Sequence, residues 1–322
     1  MTVQIAAPPP AGSAPDPEAL APTPRERLER VVRSELFKLR TTSAWWQFSA
    51  AVLITTVVMA IVDGVNARAL LKPFAEYVRI RTHGHLHAGT IPADFRNHLL
   101  DDWTAGHNAV TQAVTLYSAN QLIGLLLVCL LGIVLVTTEF AQQTATSTFL
   151  ITPSRATVLA GKLITAVLLA VAAWFVTTII TVGSGALFLH GQGYGTQLGH
   201  WAVQRSILLN LVAYVLWAVF GIGFGALIRN QLVATVAATV LYFVGAGAAG
   251  ALFDLINTYV ISSNWVLGLQ VIAPAVASQV MISPTALFTG SPPQWVGAAV
   301  LIAYSSVFIT VGLRKLRSSD IG

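Results

Sequence analysis

YSANQLIGLLLVCLLGIVLVTT, residues 117–138, is followed directly by EFAQQTATSTFLITPSRATVLAGK, residues 139–162. The first segment is uncharged and about as long as a helix needs to cross a hydrocarbon layer of about 30 Å, which takes about 20 residues. The second segment is polar, and a further apolar run follows it. Because it is too short to form a domain and too polar for the lipid interior, we predict a loop at the membrane surface.

The composition of the whole chain supports a membrane location. Only 10% of the 322 residues are charged, 55% are hydrophobic, and the mean hydropathy is +0.71. A soluble domain of this size needs a more polar surface. The single cysteine excludes a disulfide framework within the chain. The net charge of +5 is interpreted as a topology signal beside apolar spans, and no nucleic-acid partner is expected.

Six stretches have the length and apolarity of spanning helices. They are residues 45–62, 117–138, 163–189, 207–228, 232–253 and 295–313. Their apolar runs are continuous and do not alternate with polar residues, which favours helices over a barrel. The sequence therefore predicts an all-α integral membrane protein with six transmembrane helices in a domain at 45–313.

The region before the first span divides into two parts. Residues 1–24 are rich in Ala and Pro and are predicted to be a disordered tail. In residues 25–44, apolar residues recur at helical spacing between basic ones, and Trp45 and Trp46 follow. This pattern predicts an amphipathic helix that lies in the membrane interface.

The distribution of Lys and Arg predicts the orientation. Basic residues are most frequent in 25–40 and recur after the last span, in 314–322. Since basic residues favour the cytosolic side, we expect a multi-pass protein of the plasma membrane with both termini, and the loop at 139–162, in the cytosol. The segments 63–110 and 254–294 are then external. The first contains two predicted short helices, and the second an apolar helix that dips into or skims the outer leaflet.

The polar and small residues within the spans admit two interpretations. Asn120, Gln121 and Asn210 are candidates for lining a cavity, although hydrogen bonds between helices are the more common role of such residues. No predicted span has a charged residue or a histidine near its centre. This weighs against a proton-coupled transporter and favours an apolar or amphipathic substrate. The glycines in the fourth and fifth spans, Gly221, Gly225, Gly245, Gly247 and Gly250, indicate close helix packing within the chain or between copies.

Two further sites have weak support. His83, His85 and His87 alternate in the external loop and are weak candidates for zinc or copper ligands. A solvated loop is the simpler interpretation, so we expect no metal. The pair Gly161 and Lys162 lacks the glycine spacing of a phosphate-binding loop and opens a membrane helix. If ATP is used, another chain must hydrolyse it, and the protein itself is not expected to be an enzyme.

The segment 139–162 resembles the cytosolic coupling segment of type-2 ABC transporter permeases. The residues that carry the resemblance are Glu139, Phe140, Thr144, Phe149, Pro153, Arg155 and Lys162. The helix before the first span is similar to the elbow helix of that family through Glu35, Lys38, Arg40, Trp45 and Trp46. The chain departs from the family pattern at Gln143, where a glycine is common.

The resemblance implies the membrane-spanning subunit of an ABC exporter. Such a subunit would work as a homodimer or heterodimer in the membrane lipid, with separate ABC ATPase subunits that bind ATP and magnesium. Its cargo would be a drug, a peptide or a lipid-like molecule. The alternatives are a secondary transporter or channel, and a sensor or immunity protein that transports nothing. In these the loop at 139–162 is passive.

Overall fold

A computed structural model describes residues 23–83, 91–141 and 155–318 of the chain. Within these ranges the regular secondary structure is helical throughout. Six helical segments are long and apolar enough to cross a membrane, which confirms the predicted all-α membrane fold. Nearly all of the predicted tail at 1–24, and residues 142–154 of the predicted coupling loop, lie outside the described residues.

The described residues form twelve α-helices. In chain order they are α1 Pro24–Thr41, α2 Ala44–Leu70, α3 Phe74–Arg81, α4 Ala93–Gly106, α5 Ala109–Tyr117, α6 Gln121–Ala141, α7 Arg155–Gly191, α8 Trp201–Leu227, α9 Gln231–Tyr259, α10 Asn264–Gly268, α11 Pro274–Ile282 and α12 Gln294–Ser318. A 3-10 turn, Leu269–Ile272, joins α10 to α11.

The amphipathic helix expected at 25–44 corresponds to α1. Its start is fixed by a capping box, in which the Thr23 hydroxyl accepts from the Glu26 amide and the Glu26 carboxylate accepts from the Thr23 amide. Pro24 occupies the first turn, where its missing N–H costs nothing. The helix ends at Thr41, and α2 begins at Ala44.

The first spanning helix is longer than its apolar run. The sequence ends this span at 62 and assigns 63 onward to a loop, whereas α2 continues to Leu70. Polar residues alone do not stop a helix, and the first strong stop signal is Pro73, which disfavours helical geometry in the residue before it. As a consequence, Asp63 and Arg68 lie on the spanning helix instead of in a loop.

The second span is also longer and is interrupted. The candidate span Ala109–Glu139 combines α5 and α6, which are separated by a turn at 118–120. α5 is capped by Asn108, whose side chain accepts a hydrogen bond from the Val110 amide. Asn120 therefore lies at a break in the span, where the helical hydrogen-bond ladder is interrupted.

Glycines bring the central helices together. A Cβ on Gly221 of α8 would lie 2.2 Å from the Cys129 carbonyl oxygen of α6, and one on Gly132 of α6 would lie 2.8 Å from the Ala218 carbonyl oxygen of α8. Around this seam Trp217 packs edge-to-face against Tyr242 of α9, with ring centroids 4.9 Å apart. α6 and α8 thus form the buried centre of the bundle.

The segment predicted to dip into the outer leaflet forms a bent helix pair. The helical stretch Asn264–Ile272 meets Pro274–Ile282 at an angle of 108°. Most of α11 is buried against α12, where a Cβ on Gly297 would lie 2.3 Å from the Ala277 carbonyl oxygen. The other predicted external segment packs α4 on the end of α2, since the Trp103 indole donates to the Lys72 carbonyl oxygen at 2.8 Å.

Candidate functional site

Four charged side chains from three helices form a closed network at the α1 end of the bundle. Lys162 of α7 donates to Glu35 Oε2 of α1 at 2.9 Å and lies 3.0 Å from Glu139 Oε1 of α6. Lys38 of α1 donates to Glu35 Oε1 and to Glu139 Oε1, each at 3.0 Å. Each lysine therefore bridges both carboxylates, and the network carries no net charge.

Most of this network is removed from solvent. Glu35, Glu139 and Lys162 are each less than a tenth exposed, whereas the Lys38 side chain is about half exposed at 49%. Removing a charge from water costs several kcal/mol per ion unless partners compensate for it. Lys162 is compensated by hydrogen bonds to Glu35 and to the Leu135 carbonyl oxygen, the latter at 2.8 Å, and by its ion pair with Glu139.

The network changes the acidity of its members on α1. Burial alone would raise the pKa of the Glu35 carboxyl, but the charges and hydrogen bonds of Lys162 and Lys38 outweigh burial and lower that pKa below its ordinary value of 4.5. Burial likewise opposes the charged form of Lys38, yet hydrogen bonds to Glu35 and Glu139 raise its pKa above 10.5. Both groups are therefore held in their charged forms.

These shifts predict how stability depends on pH. The contribution of Glu35 is present above the unfolded-state pKa of about 4.3 and is lost as the pH falls through the lower folded-state value. The contribution of Lys38 is present below about 10.4 and is lost as the pH rises through its raised folded-state value. We expect the melting temperature of the purified protein to be level between these limits and to fall at about pH 4 and below.

Two variants test that assignment. Glu35→Gln should melt at a lower temperature near neutral pH and respond less to acid, because the titrating carboxyl is gone. Glu29→Gln is the matched control on the same helix, since Glu29 is 65% exposed and pairs only with Arg25 in the described residues. Equal acid responses in Glu35→Gln and the unaltered protein would contradict the assignment.

α1 also packs directly onto α7 beside the network. A Cβ on Gly161 would lie 2.3 Å from the Cγ1 of Val31, so only glycine allows α1 to come this close. The sequence places Gly161 in the coupling segment and excludes it from a phosphate-binding loop, but it does not predict the contacts with Val31 or with the Leu135 carbonyl. A glycine directly before the buried lysine was the available signal.

The remaining predicted coupling residues are described only in part. Phe140 lies on α6 and Arg155 begins α7, but neither side chain is among the described ones. Thr144, Phe149 and Pro153 fall within 142–154, outside the described residues. The structure does describe the two helix ends that flank this segment, since α6 ends at Ala141 and α7 starts at Arg155.

The predicted elbow residues separate into two groups. Glu35 and Lys38 point into the network, whereas Arg40, Trp45 and Trp46 are exposed at the junction of α1 and α2. Exposed tryptophans at the start of a spanning helix are typical of the membrane interface. The first group therefore faces the helix bundle, and the second faces the surroundings of the protein.

The three cavity candidates lie inside the bundle. Gln121 donates to the Ser278 carbonyl oxygen of α11 at 2.9 Å, so it joins two helices. The amide atoms of Asn120 and the Oδ1 of Asn210 are buried without a hydrogen-bond partner among the described residues. The Tyr214 hydroxyl is near Asn120, since both would crowd a Cβ on Gly124. A cavity role for these residues stays a prediction.

The candidate metal ligands are not brought together in the described part of the chain. His83 is exposed at the end of α3 with a left-handed backbone, φ 51°. His85 and His87 lie within 84–90, outside the described residues. Among the described residues, no group of three or more His, Cys, Asp or Glu is arranged to hold a metal ion.

Comparison with known families identifies the domain that contains this site. Residues 90–246 match the family described as ABC-2 family transporter protein. The chain carries an ABC-2 transporter domain. The match includes Glu139 and Lys162, whereas Glu35 and Lys38 precede it. No curated protein sequence matches the chain significantly.

The match confirms the resemblance to type-2 ABC permeases. The chain therefore carries the domain of an ABC transporter permease, and its six apolar spans indicate a multi-pass membrane protein. Permeases of this family are transmembrane subunits that are generally not catalytic themselves, and they normally work with ABC ATPase subunits. The ion network thus joins the part of the permease inside the match to a helix outside it.

Proposed function

We propose that this permease belongs to an exporter and receives the motion of separate ATPase subunits through the segment 139–162. The permease would work as a dimer, with itself or with a related permease, in the plasma membrane with both termini in the cytosol. ATP and magnesium would bind to the ATPase subunits. The observation that carries the proposal is the buried network of Glu35, Lys38, Glu139 and Lys162.

The network supports coupling because of where it lies in the chain. Glu139 is three residues before segment 142–154, and Lys162 is the eighth residue after that segment, about two turns into α7. A force that an ATPase subunit applies to the segment would be transmitted to the end of α6 and the start of α7, which Lys162 connects through its contacts with Glu139 and the Leu135 carbonyl oxygen. Because the same ammonium holds Glu35, α1 moves with both helices, and the three form a rigid unit that can rotate.

The character of the spans supports an apolar or amphipathic cargo. In the described ranges most charged residues of the six candidate spans lie towards the helix ends, such as Arg68, Glu139 and Lys162, whereas Asp63 lies about two turns before the end of α2. A pathway for protons or ions normally needs ionisable groups at membrane depth. Drugs, peptides and lipid-like molecules are the classes that fit, and this choice rests on family analogy.

Purification and activity measurements test the coupling. We expect the permease, solubilised in mild detergent, to co-purify with a nucleotide-binding subunit that hydrolyses ATP. Phe149→Ala and Arg155→Ala are expected to lower recovery of that subunit several-fold without changing the melting temperature of the permease, since both positions lie at the proposed contact. Recovery of the subunit and its ATP hydrolysis are the measurements.

The matched control is Phe175→Ala, on the same helix as Arg155. Phe175 is 57% exposed in the middle of α7 and should have no part in coupling. Unchanged recovery in Phe149→Ala and Arg155→Ala would contradict the proposed contact. Recovery without any nucleotide-binding subunit would contradict the exporter itself.

A further inference from the structure

A groove opens on the outside of the bundle between α2 and α7. Its volume is about 410 Å³, and it is bounded by one face of α2 between Val57 and Arg68 and by Ile180, Ser184, Gly185 and Phe188 of α7. Leu116 of α5 contributes to the lining. The groove therefore lies in the half of the bundle that is remote from α1 and the ion network.

The walls of the groove are apolar and face away from the protein core. Val57, Ile61 and Val65 are each about half to two-thirds exposed. They belong to a helix in which only 6% of the most apolar stretch is buried inside the protein. Gly64 adds a notch between them, because a Cβ there would meet no atom within 4 Å. Apart from Arg68 and Ser184, whose hydroxyl donates to a carbonyl oxygen of its own helix, the described side chains of the lining are apolar, so the surface suits a hydrocarbon chain.

The length of the groove matches one leaflet of a membrane. From Val57 to Arg68 the helix rises about 16 Å, at 1.5 Å per residue. Half of a hydrocarbon core of about 30 Å is about 15 Å. A single acyl chain that starts at the level of Arg68 would therefore reach the end of the groove near the centre of the membrane.

Arg68 is the one charged residue in the described lining of the groove. Within the described ranges its guanidinium has no hydrogen-bond or ion-pair partner, while Lys72, one turn further on, lies 3.8 Å from Glu76. A guanidinium binds a phosphate oxygen pair with two parallel hydrogen bonds. The groove thus presents an unpaired cation at the headgroup end of an apolar channel.

We propose that this groove binds one anionic phospholipid of the bilayer, with an acyl chain between α2 and α7 and the phosphate on Arg68. The site is separate from the coupling network and does not depend on the proposed export function. The bound lipid fills the space between these two helices. Charge on the headgroup selects the lipid, and the groove orients its chain.

Photolabelling of the intact permease tests this site. The permease is reconstituted in phosphatidylcholine vesicles that contain a small fraction of phosphatidylglycerol with a diazirine in its acyl chain. After illumination, adducts are mapped on peptides. We expect adducts on both 57–65 of α2 and 180–188 of α7, and several-fold less labelling there by phosphatidylcholine that carries the same photoreactive chain.

Two pairs of variants separate the headgroup contact from the chain contact. Arg68→Gln should reduce labelling by phosphatidylglycerol about fivefold, the factor expected for one surface cation, whereas Arg205→Gln, an exposed arginine at the same end of the bundle, should not. Gly64→Leu should abolish labelling with either lipid by filling the notch. Gly183→Leu is its control, because a Cβ on Gly183 also meets nothing within 4 Å but lies outside the groove lining.

Three outcomes overturn the proposal. Equal labelling of the groove by both lipids would mean ordinary contact with the bilayer. Full labelling in Gly64→Leu would place the lipid elsewhere. Absence of adducts, together with a disulfide between two copies of Val65→Cys, would mean that a second copy of the chain covers the groove.

Discussion

Replacement of Lys162 by methionine is expected to destabilise the permease by about 3–5 kcal/mol, the usual cost of leaving buried charges without their partner. Two carboxylates, Glu35 and Glu139, would then share only Lys38, whose side chain is half exposed. The docking of α1 on α7 should weaken first. Thermal unfolding in detergent and the rate of trypsin cleavage within α1 measure the effect.

Lys38 provides the comparison that makes this prediction specific. Lys38→Met removes the same charge from the same two carboxylates, but from a position that water reaches, so we expect a loss of about 1 kcal/mol or less. The double variant Lys162→Met with Glu35→Gln removes one charge of each sign. It should be less destabilised than the sum of its single changes. Equal losses for Lys162→Met and Lys38→Met would show that burial does not govern the network.

Replacement of Gly221 by valine is expected to have the second large effect. Its Cβ would lie 2.2 Å from the Cys129 carbonyl oxygen and 3.0 Å from the carbonyl carbon of the same residue. Both are backbone atoms of α6, so no side-chain rotation relieves the contact, and α6 and α8 must separate. We expect a loss of about 3 kcal/mol or more in the free energy of unfolding, measured by denaturation in mixed micelles.

Gly247 of α9 is the matched control. Nothing lies within 4 Å of a Cβ at this position, so Gly247→Ala should be neutral or stabilise the helix by up to about 1 kcal/mol. The sequence grouped Gly221 with Gly247 as packing residues, and the structure separates them. If both substitutions destabilised the permease equally, a partner would have to cover the open face of α9.

The spanning helices could be predicted because each depends on a local property. A run of apolar residues near Cys129 must be helical in lipid, whatever surrounds it, since its backbone has no other hydrogen-bond partners. The ends of the helices were less predictable, because polarity alone does not stop a helix. α2 therefore passes Asp63 and continues to Leu70, and α5 begins the second span at Ala109.

The candidate site was predicted as two separate groups of residues. Family resemblance assigned Glu35 and Lys38 to the elbow helix, and Glu139 and Lys162 to the coupling segment. No sequence pattern joins residues that are more than a hundred positions apart, such as Glu35 and Lys162. Their common network arises from the packing of α1 across the ends of α6 and α7.

The sequence by itself determined that this chain is a six-span helical membrane protein, because apolarity and span length are properties of each segment alone. The tertiary structure decided which charged residues are buried together and which glycines touch another helix. It also decided that α2 and α7 leave a groove between them, which runs from Val57 to Arg68. These depend on the distances between helices, which arise only when the bundle packs.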